Sequence, residues 1–162
     1  VKHQDRQRFF PDDPLLVLGQ RLAQHFEDMR LYSADLWLIL PRACDRPREW
    51  SHNWHRDPEG PCVVKATLYL RDVDEQAGPF EYVPGSHHSH KELCKAGQYA
   101  TDQEAVDALP HRTVTGPAGT LILADTSGIH RGGYTGDKPR LNAVWTYLPT
   151  NFPSPNLFEI AA

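Results

Sequence analysis

The run Cys62-Val-Val-Lys-Ala-Thr-Leu-Tyr-Leu70 decides the fold class. It is rich in β-branched and aromatic residues and lies between turn-forming stretches, the pattern of a short strand. Successive side chains of a strand point to opposite faces, so Lys65, Thr67 and Tyr69 share one side and Val64, Ala66, Leu68 and Leu70 the other. A polar side on a strand that should be half buried implies an internal cavity. Runs of the same kind recur at 36–40, 54–55, 80–83, 111–114, 120–123 and 141–148. Six or more short strands with little helix between them predict a mainly β chain built as a sandwich, jelly roll or barrel.

Two helices interrupt this pattern. Asp13 can cap and Pro14 can open a helix whose apolar residues Leu15, Leu18, Leu22, Phe26 and Met29 recur on one face, predicting a helix over about 14–30 packed outside the strands. Thr101-Asp102-Gln103-Glu104 has capping-box spacing and leads into Ala105, Val106 and Leu109, predicting a short inserted helix. The segment after Pro149 reads as irregular. The barrel core is expected over about 35–149, within a single domain covering 1–162; 162 residues lie inside the usual range for one domain.

Composition narrows the function classes. Fourteen prolines and eleven glycines suit many short elements joined by turns and argue against a helix bundle. A formal net charge of −4 argues against binding a phosphate backbone, so no nucleic-acid partner is expected. No apolar run is long enough for a membrane span and the first residues are unlike a signal peptide, so a cytoplasmic protein with no membrane partner is expected. Cys44, Cys62 and Cys94 have no Cys-x-x-Cys spacing and cannot all pair, which fits a reducing compartment. Nine histidines beside a single methionine raise the question of a metal.

Three positions answer it jointly. His55-Arg56-Asp57 would project an imidazole and a carboxylate from the same side of an extended segment, although a His-x-Asp is close to what chance supplies in so histidine-rich a chain. His130 follows a strand and a tight polar turn, 120–129, and as a third ligand would complete two histidines and one carboxylate, the set that binds non-haem Fe(II) with positions left open. Taken alone, His130 is equally well read as a turn histidine bonded to Asp125 or Ser127. Arg140 opens the strand that follows, where a planar cation can hold the far carboxylate of a dicarboxylate co-substrate.

In order and spacing, His55-x-Asp57, His130 and Arg140 resemble the metal triad and the 2-oxoglutarate-binding arginine of Fe(II)/2-oxoglutarate dioxygenases. The flanking text resembles the phytanoyl-CoA dioxygenase family: Trp54-His-Arg-Asp57, Tyr69-Leu-Arg-Asp-Val73, Gly78-Pro-Phe-Glu-Tyr-Val-Pro-Gly-Ser-His87, and the run from Gly119 to His130 followed by Arg-Gly. The resemblance covers about 54–147. It implies a double-stranded β-helix, a cupin-like jelly roll with Fe(II) and 2-oxoglutarate at one open end. It also implies hydroxylation of a small organic substrate with dioxygen, giving succinate and carbon dioxide. Members of this family are usually longer ahead of the barrel.

Within that frame His55, Asp57 and His130 are the expected catalytic metal ligands and Arg140 the co-substrate anchor. Thr67, and then Lys65 or Tyr69, are expected to line the co-substrate pocket. Asn53 is expected on the side of His55, against the nearer carboxylate, with His52 the competing choice. Asp125 and Ser127 are candidates to accept the second N–H of His130. Two other classes remain open from the residues. His88-x-His90 with Glu92 would suit a cupin-type metalloenzyme that needs no 2-oxoglutarate, although the glutamate falls too early for that spacing. An inactive jelly-roll binding module would leave the triad unused.

Overall fold

The computed structural model describes residues 7–41, 47–60, 62–133 and 136–161. In chain order the elements are β1 (Gln7–Phe9), α1 (Pro14–Ala23), β2 (Met29–Ile39), a 3-10 turn (Trp50–His52), β3 (Val64–Tyr69) and β4 (Phe80–Tyr82). They continue with α2 (Gln103–Asp107), β5 (Arg112–Val114), β6 (Leu121–Asp125), β7 (His130–Gly132), β8 (Arg140–Pro149) and β9 (Phe158–Ile160). An antiparallel sheet in the order β2-β8-β3-β6 faces a smaller antiparallel sheet, β5-β4-β7, and this is a jelly roll.

Pairing with β8 organises the larger sheet. β2 runs along it from Met29↔Pro149 to Ile39↔Arg140 with one bulge between Leu31 and Ser33, and β3 takes its other side from Val64↔Tyr147 to Tyr69↔Asn142. β8 is therefore the central strand, buried at most of its positions, which is why its sequence reads as a near-continuous apolar run. The outward side of the sheet presents Ala34, Ala66, Ala143 and Trp145 to Leu16 of α1. Trp145 Nε1 donates to the Leu15 carbonyl at 2.8 Å and the Tyr147 hydroxyl donates to the Gly19 carbonyl at 3.1 Å. A second cluster, with Trp54, Val83, Val106 and Ile129, ties α2 to the smaller sheet.

Several elements differ from the sequence expectation. α1 opens as expected, with the Asp13 side chain accepting from the N–H groups of Leu15 and Leu16 and Pro14 in the first turn, but it stops at Ala23. Its apolar periodicity continues to Phe26 and Met29 because both still pack on the same cluster. Phe26 does so from a turn, with its ring 4.9 Å from that of Tyr147, and Met29 does so as the first residue of β2. Asp28, at φ 58°, makes the reversal between them. α2 is capped by Asp102, whose side chain accepts from Ala105 N at 2.9 Å, and not by Thr101. The stretch 54–55 is reduced to isolated bridges of His55 with Tyr99 and with His130. The segment after Pro149 is not wholly irregular, since β9 pairs in parallel with β1. Cys62 and Cys94 are free thiols, and Cys44 lies outside the described residues.

The close approach of α1 to β8 is a packing prediction. A Cβ on the buried Gly19 would lie 2.5 Å from Trp145 Cδ1, and Trp145 is itself buried with its indole N–H bonded, so it has no room to yield. Gly19→Ala is expected to lower stability in urea unfolding by about 1–3 kcal/mol, the usual cost of overpacking. Helix propensity alone would raise it by about 1 kcal/mol.

Candidate metal centre

The two sheets enclose a cavity of about 420 Å³. Its floor is the inward side of the larger sheet, where alternation places Lys65 and Thr67 of β3 beside Asn142, Val144 and Thr146 of β8. Phe80, His130 and Gly132 line it from the smaller sheet.

His55 and His130 face each other across a reciprocal backbone pair. Each N–H donates to the other's carbonyl at 3.0 Å, and the ring centroids are 4.3 Å apart. The next two residues are tied elsewhere, Arg56 N to the Gln98 carbonyl at 3.0 Å and Asp57 N to the Thr126 carbonyl at 3.1 Å. This brings the carboxylate under both rings: His55 Nε2 is 3.8 Å from Asp57 Oδ1 and His130 Nε2 is 3.6 Å from Asp57 Oδ2. The three ligand atoms lie within 4.8 Å of one another, and among the described residues no other His, Cys, Asp or Glu group of three converges in this way.

The tautomers are set by the backbone. His55 Nδ1 sits 2.8 Å from the Asn53 carbonyl and His130 Nδ1 sits 3.0 Å from the Gly128 carbonyl, in each case two residues back along the chain. A carbonyl only accepts, so Nδ1 carries the proton in both rings and both Nε2 lone pairs point toward Asp57. Burial pushes the His130 imidazole down to about 3 and lowers His55 as well, which keeps both rings neutral. Burial by itself would raise the Asp57 carboxyl, but the Lys65 ammonium beside it and the Thr126 hydroxyl outweigh this and hold Asp57 below the ordinary carboxylate range. Two neutral imidazoles and one ionised carboxylate, buried and convergent, are a fitting donor set for a divalent iron ion.

Arg140 opens β8 and is buried on the cavity wall. Among the described residues its Nη1 has no hydrogen-bond acceptor, and its Nη2 lies so close to Gly132 that a Cβ there would be 2.9 Å away. Burial lowers the guanidinium from its ordinary value but leaves it cationic, as arginine is in proteins. A buried cationic donor without an acceptor, in the same cavity as the three ligands, fits an anionic group of a bound co-substrate.

The other expected site residues divide. Thr67 and Lys65 line the cavity, Lys65 with its Nζ 2.8 Å from Asp57 Oδ2. Tyr69 does not line it: the strand's polar side ends in a core cluster with Val73 and Ala77, where the Tyr69 hydroxyl donates to the Val114 carbonyl at 2.8 Å and accepts from Phe80 N at 3.0 Å. Asn53 ends the 3-10 turn and not a strand, so its amide points away and donates to the Arg48 carbonyl at 3.2 Å. His52 Nδ1 lies 3.2 Å from the Gly133 carbonyl and does not line the cavity either. Asp125 accepts from Ser127 and leaves His130 to Gly128. The rings of His87 and His88 are tilted against each other with centroids 4.0 Å apart and His90 lies 3.7 Å from Glu92, with no convergent ligand set.

One residue that matters to the site has no signal in the sequence. Arg56, between two ligands, is buried and donates to the carbonyls of Cys94, Ser86 and Ser89 at 2.7 Å and of Ser127 at 2.6 Å. Its guanidinium ties the ligand segment to the turn after Pro84 and to the loop that leads into His130. Nothing in a His-x-Asp spacing indicates that the middle side chain is buried.

Known proteins share this architecture. A family model described as Phytanoyl-CoA dioxygenase (PhyH) matches residues 17–141. A curated protein from Stutzerimonas stutzeri, named as a probable alpha-ketoglutarate-dependent hypophosphite dioxygenase, is 27% identical over an alignment of 124 residues that covers 69% of this chain and 43% of that protein. The chain thus spans less than half the length of that relative. Two solved structures have the same fold. EctD from S. alaskensis, solved with bound Fe, superposes with a TM-score of 0.63 at 20% identity over 93% of this chain and 58% of its own. HygX from Streptomyces hygroscopicus, solved with nickel and 2-oxoglutarate, gives 0.60 at 19% identity over 86% and 66%. A family match over most of the chain, on a jelly roll whose cavity holds the convergent His55, Asp57 and His130, establishes that this chain belongs to the phytanoyl-CoA dioxygenase family.

Proposed function

We propose that this chain carries the active site of a non-haem Fe(II)- and 2-oxoglutarate-dependent dioxygenase that hydroxylates a small organic substrate. The observation that carries the reading is the pairing, in one cavity, of an Nε2-aimed His55/Asp57/His130 set with a buried Arg140 that has an unused donor. When bound, iron(II) and 2-oxoglutarate supply the oxidation, in which dioxygen is consumed, the co-substrate leaves as succinate and carbon dioxide, and one oxygen atom goes to the substrate.

The chain's own residues have separate tasks. His55, Asp57 and His130 hold the metal. The backbone acceptors at Asn53 and Gly128 prevent the rings from rotating or changing tautomer. Arg140 holds the far carboxylate of the co-substrate through its free N–H, and Thr67, opposite Val144, lies on the cavity floor between Arg140 and the metal end. Lys65 stands at the metal end of the same wall. Tyr69 acts at one remove, by fixing the backbone of Phe80, whose ring closes the cavity 5.7 Å from that of His130. Ile122 and Val144 give the middle of the cavity an apolar lining that excludes water from the co-substrate stem.

Adding Fe(II) and then 2-oxoglutarate under anaerobic conditions is expected to produce a weak visible charge-transfer band. His130→Ala is expected to abolish the band with the fold intact by circular dichroism. A folded wild-type protein that gives no band, or a band that survives His130→Ala, sinks the reading. Arg140→Met is expected to raise the KM for 2-oxoglutarate at least about 30-fold in a succinate-release assay, since losing one partner of a buried charged pair costs about 2–5 kcal/mol. Metal affinity measured without co-substrate should stay within about threefold; a KM unchanged by Arg140→Met would move the co-substrate anchor elsewhere.

A further inference from the structure

Among the described residues that line the cavity, Lys65 is the one lysine or arginine that the proposed reaction does not use. It projects from β3 with its Nζ 2.8 Å from Asp57 Oδ2 and 3.9 Å from Glu59 Oε1, and all three side chains line the cavity. Asp57 Oδ2 is also the oxygen that faces His130 Nε2, at 3.6 Å. The ammonium therefore occupies the side of the carboxylate that a cation held by His130 and Asp57 would approach. Glu59 offers the alternative: it is the second carboxylate within reach, and its Oε2 is buried without a hydrogen-bond partner.

We propose that Lys65 is the counter-ion of the metal-free centre, holding Asp57 in the position of a ligand and passing to Glu59 when a divalent cation takes Asp57. The proposal rests on the reading of His55, Asp57 and His130 as the metal centre. Its logic is charge balance. Without metal, an ionised and buried Asp57 needs a cation, and Lys65 supplies one on a stem flexible enough to move. With metal, the ammonium and the dication compete for one carboxylate, and a lysine left beside the ion without a partner would weaken binding. A short swing to Glu59 gives the ammonium a new acceptor and fills the Glu59 oxygen that has none. Lys65 is in this sense a positioning residue whose cost is charged to metal affinity, and Glu59 reduces that cost.

The test is a double-mutant cycle on metal affinity, using Mn(II) alone without 2-oxoglutarate and read by calorimetry. Wild type is expected to bind one ion per chain, and Lys65→Met to bind it at least about tenfold tighter because the competitor is gone. Glu59→Gln is expected to weaken binding about fivefold in the wild-type background and to have no effect on top of Lys65→Met. Lys65→Met binding no tighter than wild type overturns the proposal, as does an equal Glu59→Gln effect in both backgrounds, which would make Glu59 act on the ion directly. Binding by wild type that is unaffected by His130→Ala overturns the metal-centre reading instead, so the two failures are distinguishable. A fold check by circular dichroism accompanies each variant. The Lys65 ammonium resonance of the wild-type protein gives a second readout, expected to shift on addition of Zn(II); a resonance that does not move overturns the proposal without recourse to any variant.

Discussion

The guanidinium of Arg56 is the constraint on which the site depends. A buried cation without a carboxylate partner is costly unless its donors are filled, and here four backbone carbonyls fill them. Those carbonyls belong to two connections, β4 to α2 and β6 to β7, and Arg56 itself lies between His55 and Asp57. Satisfying one side chain therefore brings together the segment with two ligands and the loop that delivers the third. The reciprocal backbone pair between His55 and His130 completes the alignment, because a bridge of two hydrogen bonds leaves the rings on the same side of the two chains.

The larger sheet carries out the rest of the division. Its outward side is made of small and aromatic residues that accept α1 at the close approach Gly19 permits, and its inward side is the polar floor of the cavity. Because side chains alternate strictly along a strand, each residue of β3 and β8 is committed to one role or the other. Lys65 and Thr67 look in while Val64, Ala66 and Leu68 look out toward α1. The same alternation puts Arg140, Asn142, Val144 and Thr146 in a row along the cavity, so one strand spans the cavity from Arg140 to the level of Lys65.

The legible part of this protein was what depends on periodicity and on residue type. Strand runs, the cap of α1 at Asp13, the inward side of β3 and the candidates His55, Asp57, His130 and Arg140 could be picked out because each leaves a local mark: an alternation, a capping side chain, a titratable group at a spacing. The misreadings have one origin. The α1 stripe runs past Ala23 because apolar residues can meet the same core from a helix, a turn or a strand, and only pairing with β8 shows that Met29 has changed element. Asn53 was expected to share a side with His55, but the 3-10 turn at 50–52 breaks the strand rule that this expectation needs. Tyr69 keeps the parity of Lys65 and Thr67, yet the cavity ends before it and the core begins.

The sequence by itself determined which chemical groups the chain can offer and the class of fold, because imidazole, carboxylate and guanidinium groups are fixed by composition and β texture is fixed by local pattern. Tertiary structure alone decided which atoms of those groups are usable. The Nε2 lone pairs face Asp57 because carbonyls from Asn53 and Gly128 take the other ring nitrogen. Arg140 keeps a donor free because no acceptor among the described residues reaches it, and Lys65 meets both Asp57 and Glu59 because β3 lies against the ligand segment. Each of these is a relation between groups distant in the chain or set by backbone course, and such relations leave no trace in local spacing.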